Sequence, residues 1–282
     1  MTRRNAAAFT ALCLLGGSSW IAAATLPAVL TGSLNLLIDH VLLTVIFITV
    51  KRKRLPPATP RILFYFVLLL ALPGALASLV AGHLSSTTVV LVYTLVPAAT
   101  IFFAAQASQA DLLLNLGPAL AGIAGAALIL PFALPVSSTG KLWLAGIVVS
   151  ALAAAFAALR LHTLLASVPG ISVASLAAAA YAFIALPLNV YQRPTFVLLA
   201  WPQALLSEAV QLALEAATLL LTVRLLRDLA PVAFSTRYFL IPFVTIAEGY
   251  FIMHPRVPWT LFGGVTLLAG GSFLLFRDQQ PA

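Results

Sequence analysis

Ten apolar runs organise this chain, at residues 6–30, 31–50, 62–82, 86–105, 112–134, 142–165, 171–190, 203–223, 231–253 and 259–276. About 20 apolar residues suffice for one helix to cross a bilayer, so each run is long enough to span. Runs this long and this rich in Ala and Leu predict helices rather than the roughly ten-residue alternating strands of a membrane barrel. The reading is an all-α polytopic membrane protein with ten transmembrane helices. Only 8% of the residues are charged, against about 25% in a soluble domain, which leaves little chain for one. Prolines and glycines such as Pro56, Pro57, Pro135, Gly140, Pro169, Gly170 and Pro258 mark the breaks.

The net charge of +8 does not point to nucleic acid, because the basic residues fall mostly in the breaks instead of forming a stripe with aromatic neighbours. They report orientation. With the N-terminus in the cytoplasm, that side collects eleven basic residues, including Arg3, Arg4, the Lys51 to Arg54 block and Arg227, and the opposite side three, Lys141, Arg193 and Arg256. Both termini are therefore expected in the cytoplasm. Arg3 and Arg4 before an apolar run resemble a signal peptide, yet the run continues almost to Leu30 and more follow, which favours a first helix. Cys13 is the single cysteine, so a disulfide within the chain and a cysteine-rich metal site are both excluded.

One short string occurs twice. VYTLVPAATI begins at Val92 and RYFLIPFVTI at Arg237, and Tyr93 with Tyr238, Leu95 with Leu240, Pro97 with Pro242 and Thr100 with Thr245 match at an offset of 145 residues. The fifth runs repeat as well, Gly117 with Gly263 and Gly125 with Gly271, at an offset of 146. Residues 1–137 and 138–282 are thus expected to be two copies of one five-helix unit. An odd number of crossings returns the chain on the opposite side, so the second copy is inserted upside down.

With Gly16-Gly17-Ser18-Ser19-Trp20 in the first run, proline in both fourth-position runs and glycine in both fifth-position runs, the chain resembles the drug/metabolite transporter superfamily, of the EamA-repeat kind. The resemblance covers nearly the whole chain. It implies ten helices around a central cavity in a bacterial-type inner membrane, and export or exchange of small metabolites such as amino acids. One departure lies in the sixth run, where many relatives carry a Trp and this chain has Ala154, Ala155 and Phe156.

Ionisable groups inside a bundle cost about 2.5 to 3.5 kcal/mol on insertion scales and are usually paired or face water. Asp39, Glu208, Glu215, Arg237 and Glu248 therefore stand out. Glu208, Gln211 and Glu215 share one helix face by their spacing. At about 1.5 Å of rise per residue, Glu215 and Arg237 lie at similar depths, as do Glu208 and Glu248. Two readings stay open: Arg237 anchors a substrate carboxylate or phosphate, with Glu215 and the other acids holding an amine or coupling to a proton; or Arg237 and Glu215 lock two helices, with Glu208 and Glu248 reaching the outer interface. Asp39, one turn from Asn35 and next to His40, is a further coupling candidate or a polar residue of the lumen. His83 is expected at the outer interface.

Trp20, Tyr93 and Tyr238 are candidate cavity walls or ordinary bundle contacts. Pro97 and Pro242 each remove a backbone hydrogen bond and are expected as paired hinges or inert kinks. The glycines of the fifth-position helices are read as packing surfaces. With GxxxxGK[ST] absent, no nucleotide cofactor is expected, and no metal. HExxH and GxSxG are also absent and the four histidines are scattered, which disfavours an intramembrane transferase. The expected function is a secondary transporter of a small-molecule metabolite, with a scaffold or sensor as the alternative. Its expected partners are the lipid bilayer and a coupling proton.

Overall fold

The structure is a computed structural model that describes residues 2–19, 21, 33–51, 58–108, 112–130, 133–166, 168, 170–192, 201–253 and 259–277. Its elements are helices: α1 (Arg3–Gly17), α2 (Ser33–Lys51), α3 (Thr59–Phe66), a π-helical turn (Val67–Ala71), α4 (Leu72–Leu79), α5 (Ser86–Tyr93), α6 (Val96–Ser108), α7 (Leu112–Ile129), α8 (Ser138–Leu165), α9 (Gly170–Gln192), α10 (Trp201–Asp228), α11 (Pro231–Ser235), α12 (Arg237–Met253) and α13 (Trp259–Arg277). Among the described residues the only extended pairing is one isolated bridge, Ala81 with Leu84. Six helical stretches, Thr59–Leu79, Ser86–Gln106, Ser138–Leu165, Gly170–Tyr191, Leu205–Asp228 and Trp259–Arg277, are long and apolar enough to cross a membrane. Leu34–Val50 and Leu116–Ile129 are shorter apolar helices. The chain is an all-α membrane protein.

Helix starts follow local chemistry. Thr2, Ser85 and Ser137 cap α1, α5 and α8, each accepting a backbone N–H from the residue three positions on, at 3.3, 3.2 and 3.0 Å. Between α4 and α5 the chain turns at Gly82, whose φ of 94° lies in the left-handed region that other side chains rarely adopt. The π-helical turn immediately precedes Pro73. Proline lacks an N–H and its ring crowds the carbonyl four residues back, and the wider turn, in which Leu72 N donates to Val67 O, relieves that crowding.

Inside a bilayer, lipid tails are as apolar as Leu, so close packing rather than water exclusion joins the helices. Helix α9 packs against α2, α3, the π-helical turn and α10. Its Ala174, Ala177, Ala178 and Ala180 have no exposed surface. Val45, Val149, Phe183, Leu206 and Phe262 point outward, where lipid replaces water.

The most extensive pairings are α7 with α13 and α2 with α9, followed by α6 with α8 and α1 with α12. The α7–α13 crossing is built on glycine. A Cβ on Gly125 would lie 2.6 Å from Gly264 O and 2.7 Å from Leu268 N. One on Gly271 would lie 2.4 Å from Pro118 O and 2.9 Å from Gly122 N. The contacts reverse direction along the chain, so the two helices run antiparallel. The packing surface expected along both glycine-bearing helices is narrower than their glycine content suggests, for a Cβ on Gly117 or Gly263 meets nothing within 4 Å. Gly17 brings α1 onto α12 in the same way: its Cβ would sit 2.5 Å from Val244 Cγ1. Thr245 Oγ1 donates to Gly17 O at 3.0 Å across that contact.

The expected prolines behave differently from each other. Residues 94 and 95 leave the helix and Pro97 is the second residue of α6, whereas Pro242 lies inside α12 and the break falls earlier, at Thr236. Of these two prolines, only Pro242 sits within a continuous helix.

Candidate functional site

Polar side chains meet in two adjoining zones. The first lies between α2 and α10. Asn35 Nδ2 donates to Asp39 Oδ2 at 2.9 Å and to Gln211 Oε1 at 3.1 Å. The Asn35–Asp39 contact follows from one turn of helix, and the Gln211 contact ties it to the face that also carries Glu208 and Glu215. Asp39 has no exposed surface, and Glu208 stands within hydrogen-bonding reach of it. Two ionised carboxylates bring only acceptors, and one shared proton lets one of them donate to the other; beyond that contact, Asp39 Oδ1, Glu208 Oε1, Asn35 Oδ1 and Glu215 Oε2 have no hydrogen-bond partner among the described residues.

His40 closes this zone. Its Nδ1 lies 2.9 Å from Leu36 O; a carbonyl only accepts, so Nδ1 carries the ring proton. Glu215 Oε2 stands 3.5 Å from the same nitrogen, whose hydrogen is already committed. The Tyr181 ring packs on His40 with centroids 4.5 Å apart.

The second zone surrounds Arg237, which is only 6% exposed. Its guanidinium lies 4.2 Å from the centroid of Phe234 and 5.0 Å from that of Tyr238, in cation–π geometry. Its Nη2 donates to the Tyr238 hydroxyl at 3.2 Å. Tyr238 stacks on Tyr93, with centroids 6.2 Å apart and planes 21° off parallel. The Tyr93 hydroxyl lies 2.8 Å from Ser150 Oγ and donates to Pro73 O at 3.3 Å.

These positions correct the pairings expected from depth alone. Among the described residues no ion pair joins Arg237 to Glu215; Arg237 lies over aromatic rings and Glu215 turns to His40. Depth along a helix says nothing of azimuth, and azimuth separates them. Glu208 meets Asp39, and Glu248 accepts a hydrogen bond from Ser18 Oγ, a contact between α12 and the end of α1 rather than a second carboxylate pair. The two repeated tyrosines come together, while Trp20 lies outside the described residues. His83 stacks on Trp143 at 6.1 Å.

Tyr181, Phe234 and Ser150 were not singled out by the sequence. Tyr181 had a signal: it is the one large polar side chain in the stretch Ala177 to Ala182 of a nearly all-alanine face. Phe234 and Ser150 had none, since each resembles its apolar or small neighbours.

The fold and the two zones define a membrane-spanning helical protein with a polar interior. No protein-family model matches the chain, and no curated protein matches it in sequence. Nineteen solved chains match in structure. One of them, a crystal structure of a protein 14% identical to this chain, aligns over 99% of both chains with a TM-score of 0.70. That likeness is one of fold.

Proposed function

We propose that this chain is a secondary transporter, and most simply an exporter, of amino acids or similar small metabolites, working by alternating access. In this reading it is a drug/metabolite transporter of the EamA-repeat kind, with ten helices in two inverted halves, 1–137 and 138–282, and both termini in the cytoplasm. The observation that carries the reading is the exchange relation at the α7–α13 crossing. Gly125 against residues 264 and 268 becomes Gly271 against residues 118 and 122 when each number is moved by the same 146 positions. Two antiparallel helices with matching glycines and matching contacts are what an inverted duplication produces.

The other pairings follow the same rule. Helices α2 and α9 are second in their halves, and α1 with α12 exchanges for α8 with α6. Near-equal halves of this kind interconvert two conformations by trading equivalent contacts, and a site between them opens to each side in turn. Arg237 and Tyr238 would hold a substrate acid group, Glu215 its amine, and Tyr93 would form a wall. Asp39, Glu208 and Glu248 are the coupling candidates, with the proton as the ion.

Reconstitution in liposomes tests this. Labelled amino acids should cross the membrane down their own gradient, and an imposed pH gradient should change the rate. Binding across a broad panel without flux would sink the transport reading and favour a scaffold or sensor.

A further inference from the structure

Arg237 is a buried positive charge for which the described residues supply no negative one. A guanidinium does not lose its proton in a protein, and Arg237 is only 6% exposed. Among the described residues the ion pairs are His40 with Glu215 and Arg224 with Asp228, and neither includes it. The rings of Phe234 and Tyr238 offset part of the cost of burying an ion, but they bring no opposite charge.

Packing does not require a charge at this point of the fold. The matching position in the first copy of the repeated string is Val92, which is 7% exposed and packs with Val89, Val96, Ala151 and Ala155. An apolar side chain serves there.

The main chain adds a second positive feature. The helix is interrupted at Thr236, whose carbonyl accepts from both Phe239 N and Leu240 N, so the N–H groups of Arg237 and Tyr238 stand ahead of that ladder. They open the 17-residue helix α12, at the positive end of its dipole. Helical side chains tilt towards the N-terminus, which brings the Arg237 side chain to the same end. A cation at a helix N-terminus is unfavourable by itself. Interrupted membrane helices aim such ends at anionic groups of a ligand.

The chemistry of the missing anion follows from the donors. All five guanidinium N–H groups lie in one plane, one of them engages the Tyr238 hydroxyl, and the Phe234 ring lies against the group at 4.2 Å. An acceptor must therefore approach edge-on. A carboxylate is planar, offers two oxygens to paired donors and balances one positive charge with one negative. A phosphate is tetrahedral and carries nearly two negative charges, so it fits neither the shape nor the charge. An ammonium next to the carboxylate finds no acid in this zone, since Glu215 turns to His40.

We infer that the remaining edge of Arg237, at the start of α12, seats a carboxylate, and that this is the one group every carried molecule must have. An amino group is dispensable, so the substrate class is small organic acids, amino acids among them. This rests on the transport reading above and narrows its substrate class.

The full-length protein is purified in detergent, and binding is measured at pH 7 and equal ionic strength. The panel is alanine and leucine, the same molecules without the amine (propionate and 4-methylpentanoate), their amides (alaninamide and leucinamide), and inorganic phosphate. In at least one of the two series, the acids with and without the amine should bind within about threefold of each other and at least about tenfold more tightly than the amide or phosphate. Arg237→Met should weaken acid binding at least about tenfold and leave the amides unchanged, with a ligand-free Tm equal to or above that of wild type. A purely structural arginine would instead lower Tm and keep the ratio of acid to amide, which overturns the inference. Should Arg237→Met fail to fold, the wild-type panel decides alone. Binding of amides as tight as acids, a preference for phosphate, loss of binding with the amine, or binding of none of the compounds also overturns it. Liposome flux separates the two layers. Flux that ignores the carboxylate overturns the seat and leaves transport standing; acid binding without any flux supports the seat and removes transport.

Discussion

The two copies of the repeated string differ in what their tyrosines do. Tyr93 is tied to fixed partners, Ser150 and the Pro73 carbonyl, and so joins α5 to α4 and α8. Tyr238 instead accepts from Arg237, a buried charged side chain that occupies the place of Val92 in the first copy. The rings stack on each other, yet one is anchored and the other is part of a charged site. A wider version of the same contrast separates the glycine crossing of α7 and α13, whose contacts exchange between halves, from the polar zone, whose residues do not. Helix α2 carries Asn35, Asp39 and His40, and α9 carries no acid or histidine. Helix α10 carries Glu208 and Glu215, and α3 and α4 carry no acid. The correspondence is kept where backbones touch and lost where polar side chains meet.

The strongest way to break this comparison is at the crossing. Gly271→Ala puts a methyl 2.4 Å from a backbone oxygen that has no side-chain freedom to yield. It should cost about 3 kcal/mol, seen as a lowered Tm in detergent. Gly263→Ala, on the same helix with open space around it, should stay within about 0.5 kcal/mol of wild type. Equal losses at both positions would show that propensity, not contact, governs the helix.

Arg237→Lys sharpens the other side of the contrast. Lysine keeps the charge but loses the planar group over Phe234 and the donor to Tyr238, so flux should fall about tenfold while Tm changes little. A smaller effect is expected for Tyr93→Phe, which removes two fixed hydrogen bonds and should lower stability by about 1 kcal/mol. Tyr238→Phe should leave Tm closer to wild type and instead change the concentration dependence of flux. If both tyrosine variants lost stability alike, the division between anchor and site would fail. The smallest effect is expected for Asp39→Asn in the ligand-free protein. An amide at position 39 can donate to Glu208 where two carboxylates must otherwise share a proton, so Tm should be unchanged or slightly higher.

The helical class was legible because bilayer thickness sets a length that apolar runs either meet or miss. The repeated string was legible because Tyr93, Pro97 and Thr100 recur, as Tyr238, Pro242 and Thr245, at one spacing. What the sequence hid was direction around each helix axis. Glu215 and Arg237 matched in depth, and only packing decides that one faces His40 and the other Phe234. Gly117 and Gly125 look alike in sequence, but a crossing has a single point of closest approach, and only Gly125 lies near it. Orphaned oxygens were also invisible, since Asn35 reads as an ordinary polar residue until its amide is seen committed on both sides.

The α7–α13 contact has the self-complementarity of an isologous interface, in which one patch meets its own copy about a two-fold axis. A surface of that kind needs no second sequence to close. Two copies of a half-length chain, inserted in opposite orientations, would bury such a surface as completely as one chain does. Under the inverted duplication proposed above, fusion would free such a pair from depending on the insertion machinery to deliver both orientations in equal number. It would also let one copy gain Asp39 and the other Glu208, Glu215 and Arg237, which two products of a single sequence could never divide between them.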